Sequence, residues 1–369
     1  MKEILEKNMN IDKTNWSLVK FEDVVFEPKE AIKDIVAEGI EHVVGLEHIT
    51  SEDIHLRRSE NIEESTTFTK KFAIGDVLFG RRRAYLKKAA QTTFSGICSG
   101  DITVFRAKKN LLPELLPFIV QNDKFFDYAV KHSAGGLSPR VKFKDLANYE
   151  FLLPPKDQQA QLAKLLWAMD EVIEKEKDIL ERTETYKLTF IKNNIFEKAK
   201  QEQFKFISLG GIFEVKTGNK NAQDAIVGGE YPFFTRSIDT QRIDTYDYDQ
   251  EALILPGEGN FQIKYFKGKF NVHQRTYILS NNNKHKINMA LYRDVVQDKV
   301  GELVQKSVGS TVNSLRKPII ENIIVPLLSQ EEQEVVFESI QFQDKVIEKS
   351  QSKIASSKAL QKSLINQVF

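Results

Sequence analysis

Apolar positions along the chain follow two patterns, and each pattern occurs twice. From about Trp16 to Leu153, and again from Phe204 to Leu327, short apolar runs are separated by turn residues. Phe72-Ala-Ile-Gly-Asp-Val-Leu-Phe79 and Ile102-Thr-Val-Phe105 stand in the first region; Leu253-Ile-Leu255, Gln262-Ile-Lys-Tyr-Phe266 and Thr276-Tyr-Ile-Leu279 stand in the second. Runs of this length predict strands, and Pro113 to His132 predicts helix, so both regions are expected to be mixed α and β, the second richer in strand. The other pattern begins where Pro154-Pro155 stops the strand Tyr149-Glu-Phe-Leu-Leu153. From Asp157 to about Lys200 there is no Pro or Gly, and Leu162, Leu166, Met169, Ile173, Glu176, Leu180 and Thr183 step by four and three. That is coiled-coil spacing. Asp157 is expected to cap this helix, with Gln159 and Gln161 in its first turns; about 43 residues would span roughly 65 Å at about 1.5 Å each.

The second long helix keeps the register of the first. Val336, Ile340, Gln343, Ile347, Ser350, Ile354 and Ser357 each lie 174 residues beyond a seam position of the first helix. At that offset Asp170-Glu-Val-Ile-Glu-Lys175 meets Asp344-Lys-Val-Ile-Glu-Lys349, Ser133-Ala-Gly135 meets Ser307-Val-Gly309, and Lys156-Asp-Gln-Gln159 meets Gln330-Glu-Glu-Gln333. The tails Phe190–Phe196 and Ser363–Phe369 align at 173, one residue fewer. Self-similarity on this scale means two large modules rather than a solenoid. The expected architecture is α+β: two strand-rich, mixed α/β globular domains separated by two long helices, with a pseudo-two-fold internal repeat. Boundaries are expected at an N-terminal arm 1–15, a first domain 16–153, a first helix 154–200, a second domain 201–327 and a second helix 328–369. The matching seams can pair the helices with each other; packing of each helix on its own domain is the other reading.

Composition changes this picture only through its placement. The net charge is +1 over 369 residues, yet cations gather from Lys70 to Lys108 and from Phe261 to Lys286, while acids gather in 38–64, 170–184 and 239–251. Such segregation permits nucleic acid on one face and protein elsewhere, and duplex DNA has a pseudo-symmetry matching that of the repeat. Cys98 is the single cysteine, which excludes an internal disulfide and a multi-cysteine zinc site and predicts a buried small hydrophobe. No apolar run approaches the roughly 20 residues of a membrane span, and Met1-Lys-Glu-Ile-Leu-Glu-Lys7 is too charged for a secretory signal, so the chain is expected in the cytoplasm with no membrane partner. His42, His48 and His55 lack the spacing of a helical metal pair, and no metal ligand set is expected. Paired catalytic carboxylates, a nucleophile elbow, a phosphate loop and a methyltransferase motif are all absent from the sequence.

Four segments carry candidate DNA chemistry. Gly80-Arg-Arg-Arg-Ala-Tyr-Leu-Lys-Lys88 supplies Arg81, Arg82, Arg83, Lys87 and Lys88 beside Tyr85, suited to phosphates or to guanine O6 and N7. Gly257-Glu-Gly-Asn-Phe-Gln-Ile-Lys264, with Lys267, Lys269 and Arg275, combines glycines for close backbone approach with cations along a strand. Before each long helix comes a glycine-bearing, hydroxyl-rich loop, His132 to Arg140 with Lys142, and Ser307 to Arg316 with Lys317, whose amides and hydroxyls could grip phosphate. A solvated basic loop in the first two segments, and a structural turn in the others, are the alternatives.

Leu-Pro-Pro before a Gln-bearing helix start resembles the DNA specificity subunits of type I restriction-modification systems, over essentially the whole chain. The residues that carry the resemblance are Phe151-Leu-Leu-Pro-Pro-Lys-Asp-Gln-Gln159 with Val325-Pro-Leu-Leu-Ser-Gln-Glu-Glu-Gln333, Gly75-Asp-Val-Leu-Phe79, Ser95-Gly-Ile-Cys-Ser99, and Gly268-Lys-Phe270 through Arg275-Thr-Tyr-Ile278. The second helix start departs from the family in having Leu328-Ser329 for the double proline. The resemblance implies two target recognition domains, each reading half of a split, asymmetric site, and an antiparallel coiled coil that spaces them and docks two methyltransferase subunits. S-adenosylmethionine would be bound by those subunits and no cofactor by this chain; restriction subunits, motor and nuclease, would join for cleavage. The chain itself would be non-catalytic. Arg81, Arg82, Arg83, Lys87 and Lys88 are expected on one half-site and Lys264, Lys267, Lys269 and Arg275 on the other. Leu162, Leu166, Met169, Ile173, Leu180, Val336, Ile340, Ile347 and Ile354 are expected in the coiled coil and subunit docking. A coiled-coil scaffold without DNA specificity, or an enzyme with an unrecognised site, are the competing readings.

Overall fold

The computed structural model describes residues 11–33, 39–61, 67–309 and 313–369. Most of the expected N-terminal arm, part of the acidic stretch 38–64 and residues 310–312 of the second hydroxyl-rich loop lie outside the described residues. The chain divides into two compact units, unit 1 being Met1–Glu176 with Ser352–Phe369 and unit 2 being Lys177–Gln351.

In unit 1 the strand Ser17–Lys20 pairs antiparallel with Glu150–Leu153, so the module closes on itself just before its long helix. Inside it, four strands lie in the order Val25–Phe26, Ile102–Ala107, Val77–Gly80, Ala89–Gln91, and a smaller sheet joins Val43–Val44, Gly96–Cys98 and Lys70–Phe72. Val77–Gly80 is buried on both faces, which explains its unbroken apolar run. The helical stretch expected from Pro113 to His132 is broken into Pro113–Leu115, Leu116–Val120 and Asp123–Lys131. The last break falls at Asn122, whose side chain accepts the Lys124 N–H and caps a new helix. Cys98 is buried as expected, and burial pushes its thiol up to about 12.

Unit 2 holds a six-stranded sheet in the order Phe213–Thr217, Thr276–Asn281, Tyr248–Pro256, Lys264–Val272, Tyr231–Phe234, Gln241–Ile243. Its module closes as the first does, Phe206–Ser208 pairing antiparallel with Ile324–Pro326. The strand expected from Gln262 starts instead at Lys264, because the Ile263 N–H is taken by the Gln297 side chain at 2.8 Å.

The first long helix runs from Lys156 to Ile191, through a π-helical turn at Lys192–Glu197, to Gln201. Asp157 therefore lies inside the first turn rather than at the cap, a position that still suits a carboxylate by the helix dipole. The π-helical turn accounts for the offset dropping from 174 to 173, because such a turn accommodates one inserted residue. The second helix, Gln330–Val368, starts without the double proline by another device. Ser329 Oγ accepts the Glu332 N–H while the Glu332 carboxylate accepts the Ser329 N–H, a capping box.

Within each unit the two helix segments run antiparallel. In unit 1, Gln361 Nε2 donates to the Leu166 carbonyl and Lys353 meets Glu176 at 2.7 Å; in unit 2, Lys187 meets Asp344 at 2.5 Å and Lys198 meets Glu332 at 3.4 Å. The repeat tails are exchanged as a result. Ile191, Ile195 and Phe196 join the core of unit 2, while Leu364, Ile365, Val368 and Phe369 join that of unit 1. The seam residues Leu166, Ile173, Val336 and Ile340 are buried, with Leu162, Met169, Leu180, Ile347 and Ile354 half-buried beside them.

The repeated glutamines have matching roles. Gln159 Oε1 accepts the Leu112 N–H at 2.9 Å, and its amide donates to the carbonyls of Asn110 and Pro154. Gln333 Oε1 accepts the Asn288 N–H at 2.6 Å, and its amide donates to Lys286 and Leu328. Each glutamine, almost fully buried, clasps the helix start to a loop of its own module. Gln159→Ala is expected to cost about 1–3 kcal/mol by orphaning a buried N–H. Both tryptophans, Trp16 and Trp167, lie in unit 1, so denaturant unfolding followed by tryptophan fluorescence reads that loss directly.

Candidate nucleic-acid interface

In unit 1, Arg81-Arg-Arg83 leaves the end of strand Val77–Gly80 and is gripped by backbone bonds on two sides. Arg81 N–H donates to the Asp101 carbonyl, Val141 N–H to Arg81, and Arg83 N–H to Pro139, at 2.8–3.0 Å. The hydroxyl-rich loop closes by mutual bonds between Ala134 and Arg140, which sets Arg140 opposite Arg82. Asp101 lies against both arginines: Arg140 Nε donates to its Oδ1 at 2.6 Å and Nη2 to its Oδ2 at 3.1 Å, and Arg82 Nη1 reaches it at 3.5 Å. The Arg140 hydrogen bonds above all hold the Asp101 carboxyl below its usual range. Ser138 Oγ accepts from Arg82 and Arg83 at 3.3 Å each.

The turn after the arginines is strained. Arg83 and Lys87, neither a glycine, take left-handed φ of 55° and 49° on either side of Ala84–Leu86, leaving Tyr85 exposed. The two lysines of this segment are engaged within the protein. Lys87 Nζ lies 2.6 Å from Asp123, and Lys88 Nζ donates to the Leu46 carbonyl at 2.6 Å. Lys142 is exposed and has no ion pair among the described residues, and the same holds for the half-buried Arg81.

Unit 2 repeats this backbone frame with the charges exchanged at one pair of positions. Gly257 N–H donates to the Arg275 carbonyl, Leu315 N–H to Gly257, Gly259 N–H to Asn313, and Val308 and Ser314 bond each other, each bond matching one in unit 1 at an offset of 174 to 176. Glu258 thus stands where unit 1 has Arg82, and Arg275 where it has Asp101. Glu258 Oε1 meets Arg275 Nη1 at 2.8 Å and Oε2 meets Arg236 Nη1 at 2.7 Å. Burial would raise the Glu258 carboxyl, but the two arginines hold it below its usual value. A Cβ at position 257 would come within 2.7 Å of the Arg275 carbonyl, so the glycine permits approach to the chain's own backbone.

The other cations of the second segment differ in their freedom. Lys264 Nζ donates to the carbonyls of Ser237 and Ile238, pinning a loop, and Lys269 lies over the Tyr246 ring at 4.6 Å. Lys267 and Arg316 are exposed without ion pairs among the described residues. Asp101, Ser138, Arg236 and Glu258 escaped sequence reasoning because a search for cations passes over the carboxylates that orient them. Comparing the repeats position by position at offsets of 174 and 176 would have shown the exchange.

The repeated Asp-x-Val-Ile-Glu-Lys motif joins each helix pair to its module. In unit 1 Asp170 meets His55 Nε2 at 2.6 Å; in unit 2 its counterpart Asp344 meets Lys187 and Arg293. Of the other histidines, His42 bonds Ser59 and His48 accepts the Gly45 N–H. The Asp170 hydrogen bond raises the His55 pKa, with burial opposing it. A raised histidine stabilises the fold fully below its unfolded value near 6.5 and loses that contribution as pH climbs through the folded value. Unit 1 should therefore be measurably less stable at pH 9 than at pH 6. His55→Gln should flatten that difference in tryptophan-monitored unfolding.

A sequence profile described as the type I restriction modification DNA specificity domain matches residues 15–185 and 201–356. The type I restriction enzyme EcoDI specificity subunit of Escherichia coli is 32% identical over 137 residues, 37% of this chain and 30% of that one, so the match spans less than a third of the relative's length. Among solved structures, a type I restriction-modification system S subunit from M. genitalium is similar with a TM-score of 0.64 at 14% identity, covering 99% of this chain and 98% of that one. A second, from work on complex assembly and conformational transition of a type I R-M system, has a TM-score of 0.55 at 19% identity, covering 96% and 97%. Those two likenesses establish the fold. No helix among the described residues is long and apolar enough to cross a membrane. Because the profile covers both modules and most of both long helices, the chain belongs to the family of type I restriction-modification DNA specificity subunits.

Proposed function

We propose that the chain is the non-catalytic address reader of a type I restriction-modification complex. The module of unit 1 reads one half of an asymmetric, bipartite duplex site and that of unit 2 the other half. The long helices dock two methyltransferase subunits, which carry the S-adenosylmethionine, and restriction subunits join these for cleavage. The observation that carries the reading is the pair of matching backbone frames with opposite side-chain charge at Arg82/Glu258 and Asp101/Arg275. One architecture with two different surfaces is what an asymmetric split site requires.

Docking finds support on the outer face of the helices. Tyr186, Leu188, Val335 and Phe342 in unit 2 are each at least 60% exposed, and Leu165, Val172 and Leu360 are exposed in unit 1. Of the seam residues, Leu166, Val336 and Ile340 lie in the cores of their own units, and these outward side chains are the ones left for a partner.

The test is to co-produce the chain with a methyltransferase subunit from the same genome and map methylated adenines by long-read sequencing. Exchange of residues 16–153 for those of a relative should change one half of a split motif and leave the other half intact. Replacing Arg81, Arg82 and Arg83 with alanine should weaken binding through one half-site, with a shallower salt dependence, and spare the other. Loss of all DNA affinity with partners present would favour a protein scaffold, and turnover by the purified chain with magnesium or S-adenosylmethionine would favour an enzyme.

A further inference from the structure

The candidate cations fall into two groups by what stands next to them. In unit 1, Arg140 and Arg82 share Asp101; in unit 2, Arg275 and Arg236 share Glu258. Lys142, Lys267 and Arg316 have no carboxylate partner among the described residues. In both triads the carboxylate is sheltered, at 20% and 17% exposure, while the arginines are open at 38–59%. Isolated exposed ion pairs contribute little to stability. Here, however, one arginine–carboxylate contact stands at the same place in both frames with its two positions exchanged, Arg82–Asp101 and Glu258–Arg275, and in each unit a second arginine from elsewhere, Arg140 or Arg236, joins the carboxylate, which an incidental surface pair would not reproduce.

We propose that two carboxylate-held arginines, Arg140 in unit 1 and Arg275 in unit 2, read guanine edges in the two half-sites, while the unpaired Lys142, Lys267 and Arg316 grip phosphates; Arg82, whose Nη1 and Nη2 are committed to Asp101 and Ser138, helps to hold the carboxylate in place. The inference rests on the proposed DNA-reading function. Its physical basis is electrostatic. A phosphate drawn to Arg140 also approaches the carboxylate that Arg140 holds at 2.6 Å, and like-charge repulsion offsets much of the attraction. Guanine carries no net charge and presents O6 and N7 acceptors that match a guanidinium bidentately, so the carboxylate costs that contact little. It also fixes the guanidinium beforehand, lowering the ordering cost of binding. Arg140 turns its Nε side to Asp101, and its end-on edge keeps only a contact from Nη1 to the Ser138 carbonyl at 3.5 Å. Arg275 spends one Nη1 contact on Glu258 and leaves Nη2 without a partner among the described residues.

The full chain, co-produced with a methyltransferase subunit from the same genome, is assayed by long-read mapping of methylated adenine in host DNA. The wild type should give a split motif with a G·C pair in each half. Arg140→Lys keeps the charge and loses the bidentate edge, and should relax one G·C position in one half, with discrimination falling about 5- to 150-fold. Arg275→Lys should do the same in the other half. Lys142→Gln and Lys267→Gln should lower methylation at all sites and leave the motif unchanged. Should Arg140→Lys or Arg275→Lys fail to fold, Asp101→Asn and Glu258→Gln free the arginines in place and should relax the same positions. Uniform weakening or no change in the arginine variants, or a half-site without G·C, overturns the inference while leaving the address-reader function intact. A wild-type complex that methylates no split motif overturns both.

Discussion

Lys187→Met is expected to destabilise unit 2 by about 3–5 kcal/mol near neutral pH, among the largest losses any single substitution in this chain should cause. Lys187 is buried on the first long helix and ties together two carboxylates, Asp294 of the module at 3.0 Å and Asp344 of the second helix at 2.5 Å. Arg293 bridges the same two acids at 3.1 and 3.4 Å. Removing the lysine leaves Asp294, 6% exposed, with Arg293 as its remaining partner. Burial already raises the Asp294 carboxyl above its ordinary value, with Arg293 and Lys187 opposing. A carboxyl raised in the fold takes up a proton more readily than in the unfolded chain, so its presence costs stability as pH rises from the unfolded value through the folded one. The defect in Lys187→Met should accordingly shrink on acidification, as Asp294 protonates. Scanning calorimetry between pH 4 and 8 reads this, with the tryptophan signal of unit 1 as reference. Adding Asp294→Leu should recover much of the loss at neutral pH; if it does not, the penalty lies in packing and not in an orphaned charge.

Phe79→Ala should remove about 3–5 kcal/mol from unit 1. Its ring is fully buried, stacked on Phe105 at 5.3 Å and on Phe126 at 5.8 Å, and edge-on to Phe125 at 5.8 Å. Aromatic pairs in these geometries add to the loss of buried area. The position has a functional consequence because Gly80 and Arg81 follow it directly, so the cluster anchors the strand that presents Arg82. A measurable loss in the tryptophan-monitored transition should be joined by weakened reading of one half-site, whereas Phe79→Leu should cost less on both counts. An alanine variant with wild-type stability would mean the cluster repacks around the gap.

The elements most legible in the sequence were those governed by local periodicity. Seam positions such as Leu166 and Val336 announce long helices because the spacing of apolar residues on a helix is a property of the helix itself. The closing strand Glu150–Leu153 was legible because the double proline that follows it is a local stop signal. The helical character of Pro113–His132 was legible but its breaks were not, because one asparagine side chain restarts the helix and periodicity does not register a cap. The start of the second helix likewise rested on Ser329 and Glu332, a pairing hidden by the absence of the expected proline.

The candidate interface was half legible. Clusters such as Arg81-Arg-Arg83 stand out because charge is local, but whether a cation is free depends on residues far along the chain. Lys88 is held by Leu46, and Lys264 by Ser237 and Ile238, across distances in sequence that no motif encodes.

By itself, the sequence determined that this protein is built from one plan used twice, with two modules, two matched helices and segregated charge. Repetition and periodicity survive in a one-dimensional string. The tertiary structure alone decided that the tail of each repeat completes the core of the other unit, and that the repeated glutamines clasp loops of their own modules. It also decided that Arg82 and Arg140 meet at Asp101, and that the Arg82–Asp101 contact returns with its positions exchanged as Glu258–Arg275, joined there by Arg236. Those outcomes depend on which distant groups come within about 3 Å of one another, and the folded backbone sets that distance.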